Sequence, residues 1–234
     1  MKLLYPFIFL AVVAIGGCTA IEETSKHAME TGMYRVSSEN NRHFYTVVEA
    51  DSIALHPVTK TKSGWIADTT EGAIVHLNAI DHYKQQIKFS NSSFDLDVMT
   101  ILFKYRPYTA GFPNQLNTNF NAAEFIGYRT DYYILSYEKN PLNVYRQRIN
   151  HFAYSLGGFV GLGATTINPF VGNNNIQTEY DGVVLTKGVC GLVGVGDFTF
   201  GAGVGFDNLL DKNRKFWVYE NKPWVGFTIG FNIN

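Results

Sequence analysis

The sequence predicts an all-β protein: an antiparallel transmembrane β-barrel of about eight strands, with a short N-terminal β extension and a signal peptide. Six segments of 12 or more residues alternate in polarity, whereas strands of water-soluble proteins usually have about 5–6 residues. Charged residues make up only 17% of the 234 residues, while aromatic residues make up 15%. Of the 22 glycines, 15 lie between Gly157 and Gly230. Long strands with few charges and many glycines and aromatics are typical of this fold class.

Composition and charge exclude several other classes of protein. The formal net charge is −1, from 19 basic and 20 acidic residues, so the chain has no basic stripe of the kind that nucleic-acid binders carry. Outside the N-terminus there is no run of about 20 apolar residues, which excludes a bundle of membrane-spanning helices. A hydrophobic content of 46% can build a core, which excludes a disordered chain.

The N-terminus is predicted to be a secretory signal. Lys2 supplies a positive charge, and the apolar run from Leu3 to Ile15 is too short to span a bilayer well. The four residues Ile15-Gly16-Gly17-Cys18 resemble a bacterial lipobox. This resemblance implies a lipoprotein-type signal peptide over residues 1–17, a palmitate-type lipid on Cys18 and a tether over residues 18–31.

Two alternatives to lipidation remain open at this point. Small residues at Cys18 and Ala20 also fit cleavage by the ordinary signal peptidase after Ala20. An uncleaved signal anchor is the third reading. Lipobox proteins with Asp after the cysteine tend to stay in the inner membrane, and here Thr19 follows Cys18. The resemblance therefore implies transfer to the outer membrane.

Residues 32–90 form the predicted N-terminal β extension. Residues 33–36, 43–55 and 64–67 read as a small β meander with polar turns between the runs. Residues 79–87 fit either two helical turns or part of a hairpin. Because six long segments are too few for a single-chain bacterial barrel of eight or more strands, we expect two further barrel strands from residues 33–56 or 64–90.

Residues 91–234 form the predicted barrel. Within residues 198–206, Phe and Val side chains take one face, and Gly and Thr take the other. An apolar face opposite a small or polar face is what a lipid-exposed barrel with a narrow interior requires. The six segments are Phe94–Pro107, Asn119–Tyr137, Ile149–Thr166, Gly182–Gly196, Phe198–Leu209 and Phe216–Asn234.

The connections between the segments fit the same interpretation. Gly196-Asp197 is predicted to be a tight hairpin turn, and the polar stretches 168–181 and 207–215 are predicted to be longer loops. An aromatic girdle marks the membrane interface in such barrels. We expect three residues in this girdle, namely Trp217, Tyr219 and Trp224.

The stretch from Phe94 to Asn234, about 60% of the chain, resembles the small outer-membrane β-barrels of Bacteroidota. The residues that carry the resemblance are Phe94-Asp95-Leu96-Asp97, Gly127-Tyr128-Arg129-Thr130-Asp131-Tyr132-Tyr133 and Trp224-Val225-Gly226-Phe227-Thr228-Ile229-Gly230-Phe231-Asn232-Ile233-Asn234. The resemblance implies an outer-membrane location. It implies no particular activity.

The predicted polar residues of the barrel interior are Asp95, Asp97, Arg129, Asp131, His151 and Ser155. Charges inside a barrel normally neutralise one another, and a charge facing lipid costs about 2–4 kcal/mol at mid-depth. His151 and Ser155 share a strand face, as a histidine and the serine it activates would. An acid within hydrogen-bond reach of His151 would favour a lipid-modifying enzyme over this structural interpretation.

No catalytic, cofactor-binding or metal-binding residues are predicted. The six histidines lack the i, i+4 helix spacing of zinc proteases, and the glycines 201, 203 and 205 recur within a strand pattern rather than at a strand-to-helix turn. With Cys18 carrying lipid, Cys190 has no disulfide partner and is expected to act as a small hydrophobic residue.

The sequence therefore predicts a non-enzymatic protein of the cell outer membrane with a structural or partner-binding role. Its expected partners are outer-membrane lipids and an envelope protein, with no nucleic acid, and the expected state is a monomer. A tethered soluble β-barrel that binds a small apolar ligand is the main alternative, and a lipid-modifying barrel enzyme is the other. Large apolar residues pointing into a cavity would favour the ligand-binding barrel.

Overall fold

A computed structural model describes most of the chain after the predicted signal and tether. The described residues are 29–49, 52–62, 64–68, 73–76, 86–109, 111–139, 141–143, 145–195 and 198–232. The predicted signal peptide, the Cys18 lipidation site, the alternative cleavage after Ala20 and the Gly196-Asp197 turn lie outside these residues. So does most of the ambiguous segment 79–87.

The chain is all-β, as predicted, and every strand pairing is antiparallel. Two short 3-10 helices, Ser37–Glu39 and Lys212–Phe216, interrupt the strands. Among the described residues, no helix has the length and apolar content needed to cross a membrane. The strands are β1 Gly32–Val36, β2 Arg42–Val48, β3 Ser52–Thr61, β4 Gly64–Ala67, β5 Ala73–His76, β6 Ile87–Arg106, β7 Gln115–Asn117, β8 Asn121–Lys139, β9 Tyr145–Ile167, β10 Tyr180–Val195, β11 Phe198–Leu209 and β12 Pro223–Asn232.

Strands β1 to β5 form the N-terminal sheet. β1, β2, β3 and β4 pair in sequence order, which confirms the predicted meander, and β5 pairs with β3. The predicted run 43–55 is divided between β2 and β3. Only two residues of β1, Arg35 and Val36, pair with β6.

Six long strands follow one another in a ring, which we call the strand ring. β6 pairs with β8, the strands then pair in the order β8, β9, β10, β11 and β12, and β12 pairs with β6 again. They correspond to the six segments predicted from alternation, except that residues 216–222 of the predicted last segment form the end of a 3-10 helix and a turn, and its strand begins only at Pro223. The expectation of eight strands is wrong for the described residues, because β1 to β5 lie outside the ring instead of completing it.

The N-terminal sheet has an ordinary apolar core. Tyr34, Phe44, Ile53 and Leu55 are buried in it, and Met29, at the end of the predicted tether, is buried with them. Each such side chain contributes about 1.5–3 kcal/mol when fully removed from water. Strands β6 and β8 extend beyond the ring and complete this core with their buried side chains Phe89, Tyr133 and Leu135.

The interior of the strand ring has room for few side chains. A Cβ atom on Gly161 would lie 2.1 Å from the carbonyl oxygen of Ala122, and one on Gly188 would lie 2.2 Å from that of Val204. Glycine at these positions therefore permits the close approach of neighbouring strands. The middle of the interior is filled by an apolar cluster, which includes Phe125 and, as predicted, Cys190.

Residues 168–179 and 211–222 fold over one end of the ring, which we call the loop end. Val171 and Ile176 from the first segment pack with Trp217 and Tyr219 from the second. The prediction of an aromatic girdle from Trp217, Tyr219 and Trp224 is wrong, because all three side chains are at most 3% exposed. They cover and fill the interior of the ring instead of lying on its outer side.

Candidate functional site

The outer side of the strand ring is apolar and exposed. On β11, Phe and Val side chains point outward while Thr199 and the glycines are buried, so the predicted alternation has its apolar face on the outside. Leu156 on β9 is 73% exposed and Val189 on β10 is 62% exposed. The exposed large apolar side chains of β9 and β11 are Phe152, Tyr154, Leu156, Val160, Leu162, Phe198, Phe200, Val204 and Phe206.

Two charged side chains on this outer side depart from the apolar pattern. Glu124 on β8 and Lys187 on β10 are both exposed. Each lies directly opposite Val160 on the strand between them. The two opposite charges therefore occupy one row of the outer side, within a wall that is otherwise apolar.

All six predicted interior residues point into the ring, and the structure brings most of them together at the end opposite the loops. Asp131 Oδ1 accepts a hydrogen bond from Arg129 Nε at 2.9 Å and lies 2.7 Å from His151 Nε2. Ser155 donates a hydrogen bond to Asp95. Asp95 and Asp97 are fully buried. The Arg129 guanidinium thus offsets the charge of Asp131, and the His151 imidazole lies beside the same carboxylate within the narrow interior.

This arrangement does not form a Ser-His-Asp triad. Asp131 supplies an acid next to His151, which is the contact that the enzyme alternative requires. Residues four apart on a strand are separated by about 13 Å, however, so Ser155 is out of hydrogen-bond reach of His151. The serine hydroxyl is directed to Asp95 instead. The histidine and the serine therefore belong to two separate contacts.

A second charged cluster, near the loop end, was not predicted from the sequence. Lys104 Nζ donates to Asp207 Oδ1 at 2.9 Å and to Asn121 Oδ1 at 2.7 Å. Arg106 also donates to Asp207. Trp224 Nε1 donates to Asp207 Oδ1 at 3.0 Å. All of these side chains are at most 3% exposed, so charge-assisted hydrogen bonds must replace the water that each group has lost.

The aromatic side chains of the loop end cover this charged cluster. The Arg106 guanidinium lies 5.3 Å from the Trp217 ring centroid and 5.0 Å from that of Tyr219. Lys104 Nζ lies 4.8 Å from the Trp224 ring centroid. Cations over aromatic faces are attracted by the ring quadrupole, most strongly where water is excluded. The cluster and its aromatic cover thus plug the ring.

Tyrosine and phenylalanine side chains cluster on the outer side at the end opposite the loops. The Tyr132 ring stacks on Phe152 with centroids 5.1 Å apart, and the hydroxyls of Tyr132 and Tyr154 lie 2.8 Å apart. From this cluster toward the N-terminal sheet, the outward-facing residues of β6 change from Phe94, which is apolar, to Ser92 and Ser90, which are polar. The aromatic cluster therefore marks the border between an apolar and a polar outer side.

Neither metal-ligand geometry in the described residues nor similarity to known proteins indicates a function for this chain. In the part of the chain that the structure describes, no group of three or more His, Cys, Asp or Glu side chains is arranged to hold a metal ion. Comparison with known proteins finds no matching family, no matching curated protein and no matching solved structure.

Proposed function

We propose that this protein is a non-enzymatic β-barrel lipoprotein of the outer membrane, with the strand ring embedded in lipid and Cys18 lipidated. The six strands of the ring are fewer than the eight or more that are usual for single-chain bacterial barrels. The observation that supports the proposal best is the inverted polarity of the ring. Its outer side exposes large apolar residues such as Leu156, whereas its interior buries Asp95, Lys104, Arg106 and Asp207. Water would favour the opposite arrangement, since exposed apolar surface and buried charge both cost free energy.

The height of the apolar outer side fits a bilayer. On β6 it extends from Phe94 to Tyr105, which is about 37 Å along a strand. At the tilt of about 45° common in membrane-spanning strands, this corresponds to about 26 Å along the membrane normal. Outer-membrane barrels have an apolar band about 25 Å tall. The Tyr132 and Phe152 cluster then lies at the membrane interface, where aromatic side chains are favoured.

The plugged interior supports a structural or partner-binding role over transport. Buried charges fill one part of the ring, an apolar cluster fills the middle, and Trp217 and Tyr219 cover the loop end. Barrels this narrow are filled by side chains. The parts outside the membrane, namely the N-terminal sheet on one side and the folded loops on the other, are the surfaces available to an envelope partner.

The two alternatives have less support. A soluble ligand-binding barrel would place large apolar residues around an internal cavity, whereas the interior of this ring is filled by side chains and further large apolar residues are exposed on its outer side. The lipid-modifying enzyme gains an acid beside His151, at 2.7 Å from Asp131, but Ser155 is bonded to Asp95 and is out of reach of the histidine. Both contacts are better explained as the pairing of buried polar groups, because Arg129 also bonds to Asp131 and the Ser155 hydroxyl satisfies an Asp95 oxygen.

Cell fractionation and gel migration test the proposal. We expect the protein to remain in the outer-membrane pellet after a carbonate wash and to migrate differently with and without boiling. The lipid-free variant Cys18→Ser should still show this heat shift, because the ring itself is embedded. If Cys18→Ser is fully soluble and shows no heat shift, the protein is a tethered soluble barrel and the proposal is wrong.

A further inference from the structure

A polar cavity of about 360 Å³ lies between the N-terminal sheet and the outer side of the ring. Strand β1 places Arg35 opposite Ser90 of β6, and β2 places His43 opposite Arg35. Trp65 of β4 closes the cavity, with its ring 5.0 Å from that of His43. The N-terminal sheet therefore contributes a basic wall, and the ring contributes the facing wall.

Among the residues that the structure describes, the cations of the basic wall form no ion pair with an acid. Arg35 Nε donates to His43 Nε2 at 3.1 Å, a bond that leaves the terminal nitrogens of the guanidinium available. Lys60 Nζ lies 5.8 Å from the Trp65 ring centroid. Within the described residues, neither Arg35 nor Lys60 forms a salt bridge with a carboxylate. Partial burial, and then the nearby charges of Arg35 and Lys60, lower the pKa of His43.

The facing wall, on the ring, has hydroxyl groups inside the cavity and an apolar surface further along β8. Ser92 and Thr130 are paired across β6 and β8, with their hydroxyl oxygens 3.2 Å apart. Tyr128, one step further along β8, is 62% exposed and lies between Phe94 and Leu156 on the apolar outer side. The cavity thus opens where the outer side changes from polar to apolar.

We propose that this cavity, which we call the headgroup pocket, binds the phosphate of an anionic phospholipid whose acyl chains lie along the apolar wall beside Tyr128. The inference rests on the proposed function, because it requires the ring to be embedded in lipid. A guanidinium fork matches the oxygens of a phosphate, and the serine and threonine hydroxyls can donate to the remaining oxygens. Trp65 suits an interfacial position, since its ring is apolar and its N–H is polar.

The test is native mass spectrometry of the full-length protein in detergent micelles doped with phosphatidylglycerol or phosphatidylcholine. We expect the wild type to retain one phosphatidylglycerol and to retain phosphatidylcholine at least tenfold less. Arg35→Gln should lose at least tenfold in phosphatidylglycerol retention. Arg42→Gln is the matched control, because Arg42 is an exposed arginine of the same sheet that does not line the pocket; it should retain the lipid as the wild type does.

A second variant and a competition with inorganic phosphate test which ligand the pocket binds. Arg35→Lys keeps the positive charge but lacks the parallel N–H donors of the guanidinium. It should retain less phosphatidylglycerol than the wild type and more than Arg35→Gln. Inorganic phosphate at the same concentration as the lipid should not displace it; displacement would identify the ligand as a free phosphate and overturn the lipid assignment. Equal lipid retention by wild type and Arg35→Gln would also overturn it.

The heat shift on gels, measured on the same samples, separates this inference from the proposed function. A variant that shows the wild-type heat shift is folded, so its loss of lipid reports the pocket alone. If the wild type itself shows no heat shift and carries no lipid, the membrane-embedded ring is wrong and the pocket assignment fails with it. If the wild type shows the heat shift but Arg35→Gln retains lipid, only the pocket assignment fails.

Discussion

The strand ring and the N-terminal sheet differ in what they bury, although one strand runs through both: the sheet buries an apolar core, whereas the ring buries charged side chains together with an apolar cluster. In the N-terminal sheet, β6 buries Phe89 and exposes Ser92, as a water-soluble sheet does. In the ring, the same strand buries Asp95 and Asp97 and exposes Phe94. The polarity of β6 therefore inverts within a few residues.

The proposed function explains this difference by a change of solvent along the strand, from water to lipid. A sheet in water gains free energy by burying apolar side chains, whereas a ring in lipid can expose them and must place its polar groups inside. The border between Ser92 and Phe94 coincides with the aromatic cluster and with the headgroup pocket. Under the proposed function, this border is where the membrane interface lies.

The largest expected effect comes from removing the carboxylate that two buried cations share. Asp207→Ala leaves Lys104 and Arg106 without their counter-ion inside the ring, which should cost about 3–5 kcal/mol. Arg214→Gln breaks the ion pair with Glu220, in which Arg214 is 53% exposed, and should cost less than about 1 kcal/mol. Urea unfolding of the protein in liposomes measures both changes, and equal losses for the two variants would contradict the account of the interior.

A lysine introduced on the outer side of the ring, compared with one introduced on the N-terminal sheet, tests the inverted polarity of the ring directly. Leu156→Lys places a cation on the outer side of the ring and should cost more than about 1 kcal/mol, because the cost of a lipid-facing lysine rises from about 0–1 kcal/mol near the interface to about 2–4 kcal/mol at mid-depth. Ile66→Lys changes a residue of the N-terminal sheet that is 57% exposed and should change stability by less than about 0.5 kcal/mol. The measurement is the free energy of unfolding in liposomes. A Leu156→Lys protein as stable as the wild type would show that water surrounds the ring.

A smaller effect is expected from a methyl group in the narrow interior. Gly161→Ala brings a Cβ atom within 2.1 Å of a backbone oxygen, and such overpacking should cost about 1–3 kcal/mol. Gly158→Ala lies on the outward face of the same strand, where the nearest atom is 3.6 Å away, and should be neutral. The fraction that migrates as the heat-sensitive folded form should fall for Gly161→Ala only; an equal fall for both would contradict the close approach of β8 and β9.

The smallest expected effect is a pH dependence of stability that comes from His43 in the N-terminal sheet. Since the pKa of His43 is lowered in the folded protein, the unfolded chain takes up this proton more readily. The contribution of His43 to the free energy of unfolding is therefore fully present above about pH 6.5, and it is lost as the pH falls through the lower pKa that His43 has in the folded protein. Nuclear magnetic resonance titration should find the His43 pKa below 6.5 and raised in Arg35→Gln but not in Arg42→Gln. A wild-type pKa at or above 6.5 would contradict the basic wall.

Unbroken alternation is what made the ring predictable from the sequence. β11 begins at Phe198 and ends at Leu209, the bounds that its period of two indicates. The exclusion of β1 to β3 from the ring was not predictable, because β2 has large apolar residues on both faces. Phe44 is buried, for example, while Tyr45 is 38% exposed. The strand count of eight was wrong because it came from the usual minimum for single-chain bacterial barrels and not from alternation within residues 33–90.

The charged cluster at the loop end was missed because β6 contains a bulge. Phe103 pairs with Phe227 and Ile101 pairs with Thr228, so Leu102 is the extra residue. One extra residue moves the following side chains to the other face. Simple alternation along β6 places Lys104 and Arg106 on the outer side with Phe94, whereas the bulge turns them inward to Asp207.

The interior residues near His151 were predicted as a set but their partners were not. Each of the six lies on the inward face, which alternation indicates. The contact of Asp131 with His151 depends on the pairing of β8 with β9, in which Asp131 lies opposite Ala153 and Tyr133 lies opposite His151. A one-residue shift in this register would reverse which side chains face inward. Sequence alternation alone does not specify the register.

The measurement that tests the central claim most directly is the solvent exposure of a spin label on the outer side of the ring. Ala202 points outward on β11 between Phe200 and Val204, and Ala202→Cys is labelled in a Cys18→Ser, Cys190→Ala background in liposomes. Lys212→Cys, at an exposed site in the loops, is the water-facing control. We predict that oxygen collides with the label at position 202 more often than a water-soluble nickel chelate does. A nickel accessibility equal to that at position 212 would contradict the account, because the wall would then face water.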